Sequence, residues 1–115
     1  MDKLQTISAL SALAQDTRID VFRLLVAAGP EGLPAGEIAE ALGVRQNTMS
    51  ANLSVLLHAG LVRNVREGRT VRYFADMEGM QGMLSFLLEK CCGGRAELCA
   101  PLLADLMNDN KECCE

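Results

Sequence analysis

Between residues 35 and 60 one helical period stops at a glycine and another starts two residues later, and that interruption constrains the fold more than any other feature. In Ala35-Gly36-Glu37-Ile38-Ala39-Glu40-Ala41-Leu42 the apolar Ile38, Ala41 and Leu42 fall on one helical face. Gly43 follows as a C-terminal stop. After Val44 the period resumes from Arg45 to Ala59, with Met49, Leu53, Leu56 and Leu57 as the buried stripe. Two helices joined by so short a turn predict a helix-turn-helix, in which the N-terminal end of the second helix enters a DNA major groove.

The first turns of that second helix suit the task. Arg45, Gln46, Asn47, Thr48, Ser50 and Asn52 stand where donors and acceptors for base edges and phosphates are needed. Taken alone, the same residues would also make an ordinary solvated helix start. The next segment of the chain decides between them. Gly60 closes the helix, and residues 61–66 and 69–75 read as two strands around a tight Glu67-Gly68 turn. A hairpin after such a helix is a wing, and Arg63, Arg66, Arg69 and Arg72 all lie on it. With Arg45 they face Glu67 as the one acidic residue of residues 41–75, although the whole chain carries a formal charge of -4. Basic charge is therefore concentrated where phosphates would be met, rather than spread as in a general nucleic-acid coat.

The order Ala41-Leu42-Gly43-Val44, Ser50-Ala51-Asn52-Leu53, Leu57-His58-Ala59-Gly60-Leu61-Val62 and Arg66-Glu67-Gly68-Arg69-Thr70-Val71-Arg72-Tyr73 resembles the ArsR/SmtB family of bacterial metal-responsive repressors. Upstream, Leu13-Ala14-Gln15-Asp16-Thr17-Arg18-Ile19 with Leu24-Leu25 is similar to the second-helix signature of the same family, and the resemblance spans roughly residues 8 to 92. It implies a mainly α fold with a small β-hairpin (α+β), in the order α-α-α-α-β-β-α. It also implies a homodimer formed through the first and last helices, on double-stranded operator DNA. Arg45 stands where the family usually has a Ser-like cap, and Asn52 where His is frequent.

The remaining chain fits that outline. Asp2 is a plausible N-cap for a first helix with Leu4, Ile7, Leu10, Ser11 and Ala14 at helical spacing. Asp16 is the expected cap of a second helix, with Ile19, Phe22, Leu25 and Val26 inward; Gly29-Pro30-Glu31-Gly32-Leu33-Pro34 reads as a loop. Residues 77–90 read as a last helix, apolar on more than one face through Met80, Met83, Leu84, Phe86, Leu87 and Leu88. That surplus points to a dimer surface shared with the first helix. A chain of 115 residues is expected to form one domain, with no separate catalytic unit and no organic cofactor. Residues 1–92 would be the DNA-binding and dimerisation domain and 93–115 a cysteine-containing segment. There is no apolar run of about 18 residues, so no membrane partner is expected. Gln5, Thr6, Ser8 and Ser11 spoil the first helix as a secretion signal; cytoplasmic residence suits free thiols. His58, the one histidine, reads as a solvated or dimer-side residue rather than a ligand.

All five cysteines fall in the last quarter: Cys91, Cys92, Cys99, Cys113 and Cys114. Lys90-Cys91-Cys92-Gly93-Gly94-Arg95-Ala96-Glu97-Leu98-Cys99 resembles the C-terminal arsenite-binding segment of one branch of the family, in which a vicinal pair and a third Cys bind trivalent arsenic. Soft thiolate sites without imidazole or carboxylate select soft ions, so Cys91, Cys92 and Cys99 suit arsenite or antimonite. In a continuous helix Cys91 and Cys99 would stand about 12 Å apart. Gly93-Gly94 can break it and let Cys99 return. Zinc fits less well, because a structural site wants four ligands and the family's His/Asp set is missing. The Cys-x-Cys box that other arsenic-responsive members carry in the helix before the turn is missing too. A thiol redox or reactive-sulfur switch, or inert thiols, remain alternatives for the same residues. Cys113 and Cys114 read as incidental or auxiliary. The expectation is an arsenite-released repressor rather than an enzyme.

Overall fold

The computed structural model describes residues 1–88. Helices α1 (Lys3–Leu13), α2 (Asp16–Ala28), α3 (Ala35–Leu42) and α4 (Gln46–His58) precede a hairpin, and α5 (Met77–Leu88) comes after it. The hairpin is β2 (Val62–Glu67) and β3 (Thr70–Ala75); β1 (Leu33–Pro34) joins β3 to make a three-stranded antiparallel sheet in the order β1-β3-β2. This is a winged helix-turn-helix, mainly α with a small sheet. The cysteines, residues 89–90 of the expected last helix and the 93–115 segment lie outside the described residues.

Local chemistry explains most element ends. Asp2 and Gln5 form a reciprocal capping box, each side chain accepting from the other's backbone N–H. Gly43 sits in the left-handed region at φ 64°, so the chain leaves α3 sharply and Val44 N–H returns to the Ala39 carbonyl. Four details differ from the sequence expectations. The α2 cap is Gln15, whose Oε1 accepts from Arg18 N–H, and Asp16 is already helical. The hairpin loop is Gly68-Arg69, one residue later, with Gly68 at φ 65°. Residues 29–34 hold a short 3-10 turn and a strand as well as a loop: Leu33 pairs with Tyr73 and Pro34 with Arg72. Pro34 tolerates this because β1 is an edge.

The fourth difference concerns which faces turn inward. The core is Val21, Phe22 and Leu25 of α2, Ile38 and Ala39 of α3, Met49, Leu53 and Leu56 of α4, with Leu61, Val62 and Met83. Ile19 and Val26, expected inside, are exposed, and so is Ala41. In α1 the buried residues are the small Thr6, Ala9 and Ala12, while Leu4 (77% exposed), Ile7 and Leu10 face outward. Small residues let the α1 backbone pack closely, and its large apolar side chains are left for something outside the monomer.

Helix α5 is seated on the end of α4. Asp76 N–H donates to the Leu61 carbonyl, and the Asp76 carboxylate accepts from Gly79 N–H. A Cβ at Gly79 would overlap the Gly60 carbonyl oxygen, a backbone atom that cannot rotate aside. Replacing glycine by alanine inside a helix ordinarily stabilises by about 1 kcal/mol. Here Gly79→Ala is expected to lower the unfolding free energy by about 1–3 kcal/mol, as overpacking does, read from urea denaturation.

Candidate nucleic-acid interface

Helix α4 has two unlike sides. Met49, Leu53 and Leu56 are almost fully buried, and their anchoring fixes the helix axis against α2 and α3. At its N-terminal end Gln46, Asn47, Thr48 and Ser50 are exposed, as is Arg45 just before the first turn. The structure thus brings five of the six helix residues expected at the interface to one solvent-facing end. No side chain caps the α4 N-terminus. The first backbone N–H groups, of Gln46 and Asn47, and the positive dipole end are directed to solvent together with that polar cluster. Asn47 Oδ1 accepts from Thr48 N–H, and Gln46 leans on the start of α3, where its Nε2 would be 3.3 Å from a Cβ on Gly36.

Asn52 does not join them. It is 7% exposed, and its Oδ1 accepts from the Arg18 guanidinium at 3.2 Å. At 100° per residue it falls beside Met49 and Leu56, on the inward side, so it cannot reach a base from there.

The wing divides its arginines by strand alternation. Cross-strand partners share a face, so Arg63 lies with Phe74 and Arg72 with Val65, while Arg66 lies with Val71 on the other. Arg63 stacks over the Phe74 ring at 4.5 Å. Arg72 is folded back: its Nε donates to Glu67 at 2.8 Å, and its Nη1 donates to the Glu31 and Gly32 carbonyls. The Glu67 hydrogen bond raises the Arg72 pKa above its already high ordinary value, so the guanidinium stays charged. Arg72 is thereby a brace between wing and loop rather than a free cation. Among the described residues Arg66 reaches only the Gly68 carbonyl, at 3.3 Å, and Arg69 stands exposed in the hairpin loop. Both side chains are exposed to solvent.

His58 is exposed, with Nδ1 2.8 Å from the Ser54 carbonyl, and no group of three His, Cys, Asp or Glu suited to a metal occurs among the described residues. Nor is any described helix long and apolar enough to cross a membrane.

Comparison with known proteins agrees with this geometry. A helix-turn-helix domain family matches residues 13–65. A Halobacterium salinarum protein named as an arsenical resistance operon repressor, ArsR, is 38% identical over 73 residues, 64% of this chain and 56% of its own length. The transcriptional regulator NmtR of Mycobacterium tuberculosis is 41% identical over 69 residues, 60% of this chain and 55% of its own. The chain thus spans a little over half the length of these two curated relatives. The solved structure of Mycobacterium bovis Mb0332, described as a homodimeric winged helix-turn-helix DNA-binding domain, superposes with a TM-score of 0.61 at 28% identity, covering 79% of this chain and 84% of that one.

The division of the wing has a measurable consequence. Removing one phosphate-binding cation flattens the salt dependence of binding by about one unit of slope. Arg66→Ala and Arg69→Ala are expected to do that in anisotropy titrations against salt, with unchanged thermal stability. Arg72→Ala is expected to lower thermal stability instead.

Proposed function

The chain belongs to the ArsR/SmtB family of winged helix-turn-helix regulators, and on that premise we propose that it is a homodimeric transcriptional repressor, bound to operator DNA when empty and released by arsenite or antimonite. The exposed polar start of α4, with Arg66 and Arg69 on the adjoining wing, is the observation that carries the DNA-binding part. Arg45, Gln46, Asn47, Thr48 and Ser50 read the groove, and the wing arginines hold flanking phosphates.

The dimer follows from apolar surface. Leu4, Ile7 and Leu10 on α1 and Leu84, Leu87 and Leu88 on α5 are all exposed, and α1 and α5 pack against each other in the monomer. A patch of six large side chains on adjacent helices is covered by its copy in a two-fold pair, which presents two α4 helices to successive major grooves. The homodimeric description of Mb0332 supports a dimer, without naming the surface.

The inducer site is assigned to Cys91, Cys92 and Cys99. Cys91 stands three positions after Leu88 in the sequence, so the thiols follow, along the chain, the helix that supplies the dimer surface. Three thiolates satisfy a trivalent metalloid and need no imidazole. Release requires different affinities in two dimer geometries, and a coupling of about 1–3 kcal/mol changes occupancy 5- to 150-fold. Cytoplasmic residence belongs to this reading, because the thiols must stay reduced. The arsenical-operon name of the Halobacterium relative supports it.

Two experiments test these assignments. Leu87→Glu places a charge on the proposed dimer surface and is expected to give a monomer in sedimentation velocity that has lost most of its DNA affinity; an unchanged dimer contradicts the interface. Anisotropy of labelled promoter DNA bound by reduced protein is expected to fall on adding micromolar arsenite, but not zinc, and Cys91→Ser or Cys92→Ser is expected to abolish the response. Release by diamide with indifference to arsenite would move the same cysteines to redox sensing.

A further inference from the structure

Arg18 makes a contact that none of the roles above uses. It lies in the first turn of α2, half-buried, and its Nε donates to the Ala12 carbonyl at the end of α1 at 2.6 Å. Its Nη1 donates to the buried Asn52 of α4. One planar guanidinium therefore joins three helices: the one that carries it, the one with the outward apolar face, and the one with the exposed polar end. A crevice of about 320 Å³ lined by Ser8, Ser11, Ser54 and Val55 flanks this bridge. At this level α1 is tied to α4 by polar contacts of fixed direction.

We propose that Arg18 and Asn52 are positioning residues for operator recognition, a strut that sets the angle of α4 relative to α1 and so the spacing of the paired recognition helices. The proposal rests on the dimeric DNA-binding reading and adds residues that touch neither DNA nor the second subunit. The chemistry favours a strut over simple packing. A guanidinium offers donors in a rigid fork, whereas lysine offers a point charge on a flexible stem and holds no such angle. Asn52 provides the acceptor inside the apolar stripe of α4, where Met49 and Leu56 would otherwise be joined by carbon. A tilt of α4 about Asn52 would displace the exposed Gln46 end, six residues away along the helix.

The test uses the full chain and a duplex that the wild-type protein selects from a random pool, with circular dichroism verifying that each variant is folded at the temperature used. Arg18→Lys and Asn52→Leu are each expected to weaken binding about tenfold, and the double variant to add no more than about twofold, as residues acting through one contact do. Asn52→Asp keeps an acceptor facing Arg18 and is expected to stay within about threefold of wild type by the same logic. Inserting one base pair between the half-sites separates positioning from stability: wild type is expected to lose far more affinity than Arg18→Lys does. If Asn52→Asp is the weakest binder while Arg18→Lys binds as wild type, Asn52 reads bases directly and the strut is wrong. Equal spacing penalties in wild type and Arg18→Lys also overturn it. Failure of the wild type to select any duplex overturns the DNA-binding reading and the strut together, whereas normal selection with indifferent variants overturns the strut alone.

Discussion

Burial of one side of α4 is the constraint on which the rest of this structure depends. Of the largest fully buried side chains, Met49, Leu53 and Leu56 come from α4, and they meet Val21, Leu25, Ile38 and Leu61 from the elements around it. Full burial of side chains this size contributes about 1.5–3 kcal/mol each. The helix that would enter the groove is therefore also the centre of the core, and its neighbours limit how far it can move. That rigidity makes an exposed N-terminal end useful, because the polar groups on it hold a set direction at little entropic cost.

The same core explains why the outside of the molecule is so apolar. Packing of α1 through Thr6, Ala9 and Ala12 brings its backbone close to α2 and α4 and turns Leu4, Ile7 and Leu10 away. Seating of α5 on Gly60 and Leu61 buries Met83 and leaves Leu84, Leu87 and Leu88 outward. Two terminal helices thus present large side chains while small residues and a glycine contact make the inner seams. In the proposed function this surface, the groove-reading end and the cysteines after α5 belong to one mechanical chain, with the Arg18 strut as the inner link.

Much of this was legible from spacing. Gly43 as a left-handed stop, Asp2 as a cap, the hairpin after Gly60 and the Met49, Leu53, Leu56 stripe all follow from local rules that tertiary packing did not override. The α1 face was not legible, because the large apolar stripe satisfies helical spacing as well as the small one does. Asn52 was assigned to the interface by its residue type: asparagine suggests a base contact, yet position 52 is three after Met49 and four before Leu56, which places it inward. Alternation along the hairpin held the signal for the wing arginines, since Arg66 and Arg72 pair with Val71 and Val65 on opposite faces. The brace from Arg72 to residues 31 and 32 depends on a third strand that two residues, one of them proline, scarcely announce. The cysteine assignments stand on residue chemistry and resemblance, outside the described residues.

The most direct test of the central claim is chemical footprinting of the protein on its selected duplex, combining methylation of guanine N7 in the major groove with hydroxyl-radical cleavage of the backbone. Two copies of α4 in successive major grooves predict two patches of N7 protection about 10 base pairs apart, flanked by backbone protection from the wings. A single protected patch, or backbone protection without any major-groove protection, would contradict the placement of α4 and with it the dimeric reading.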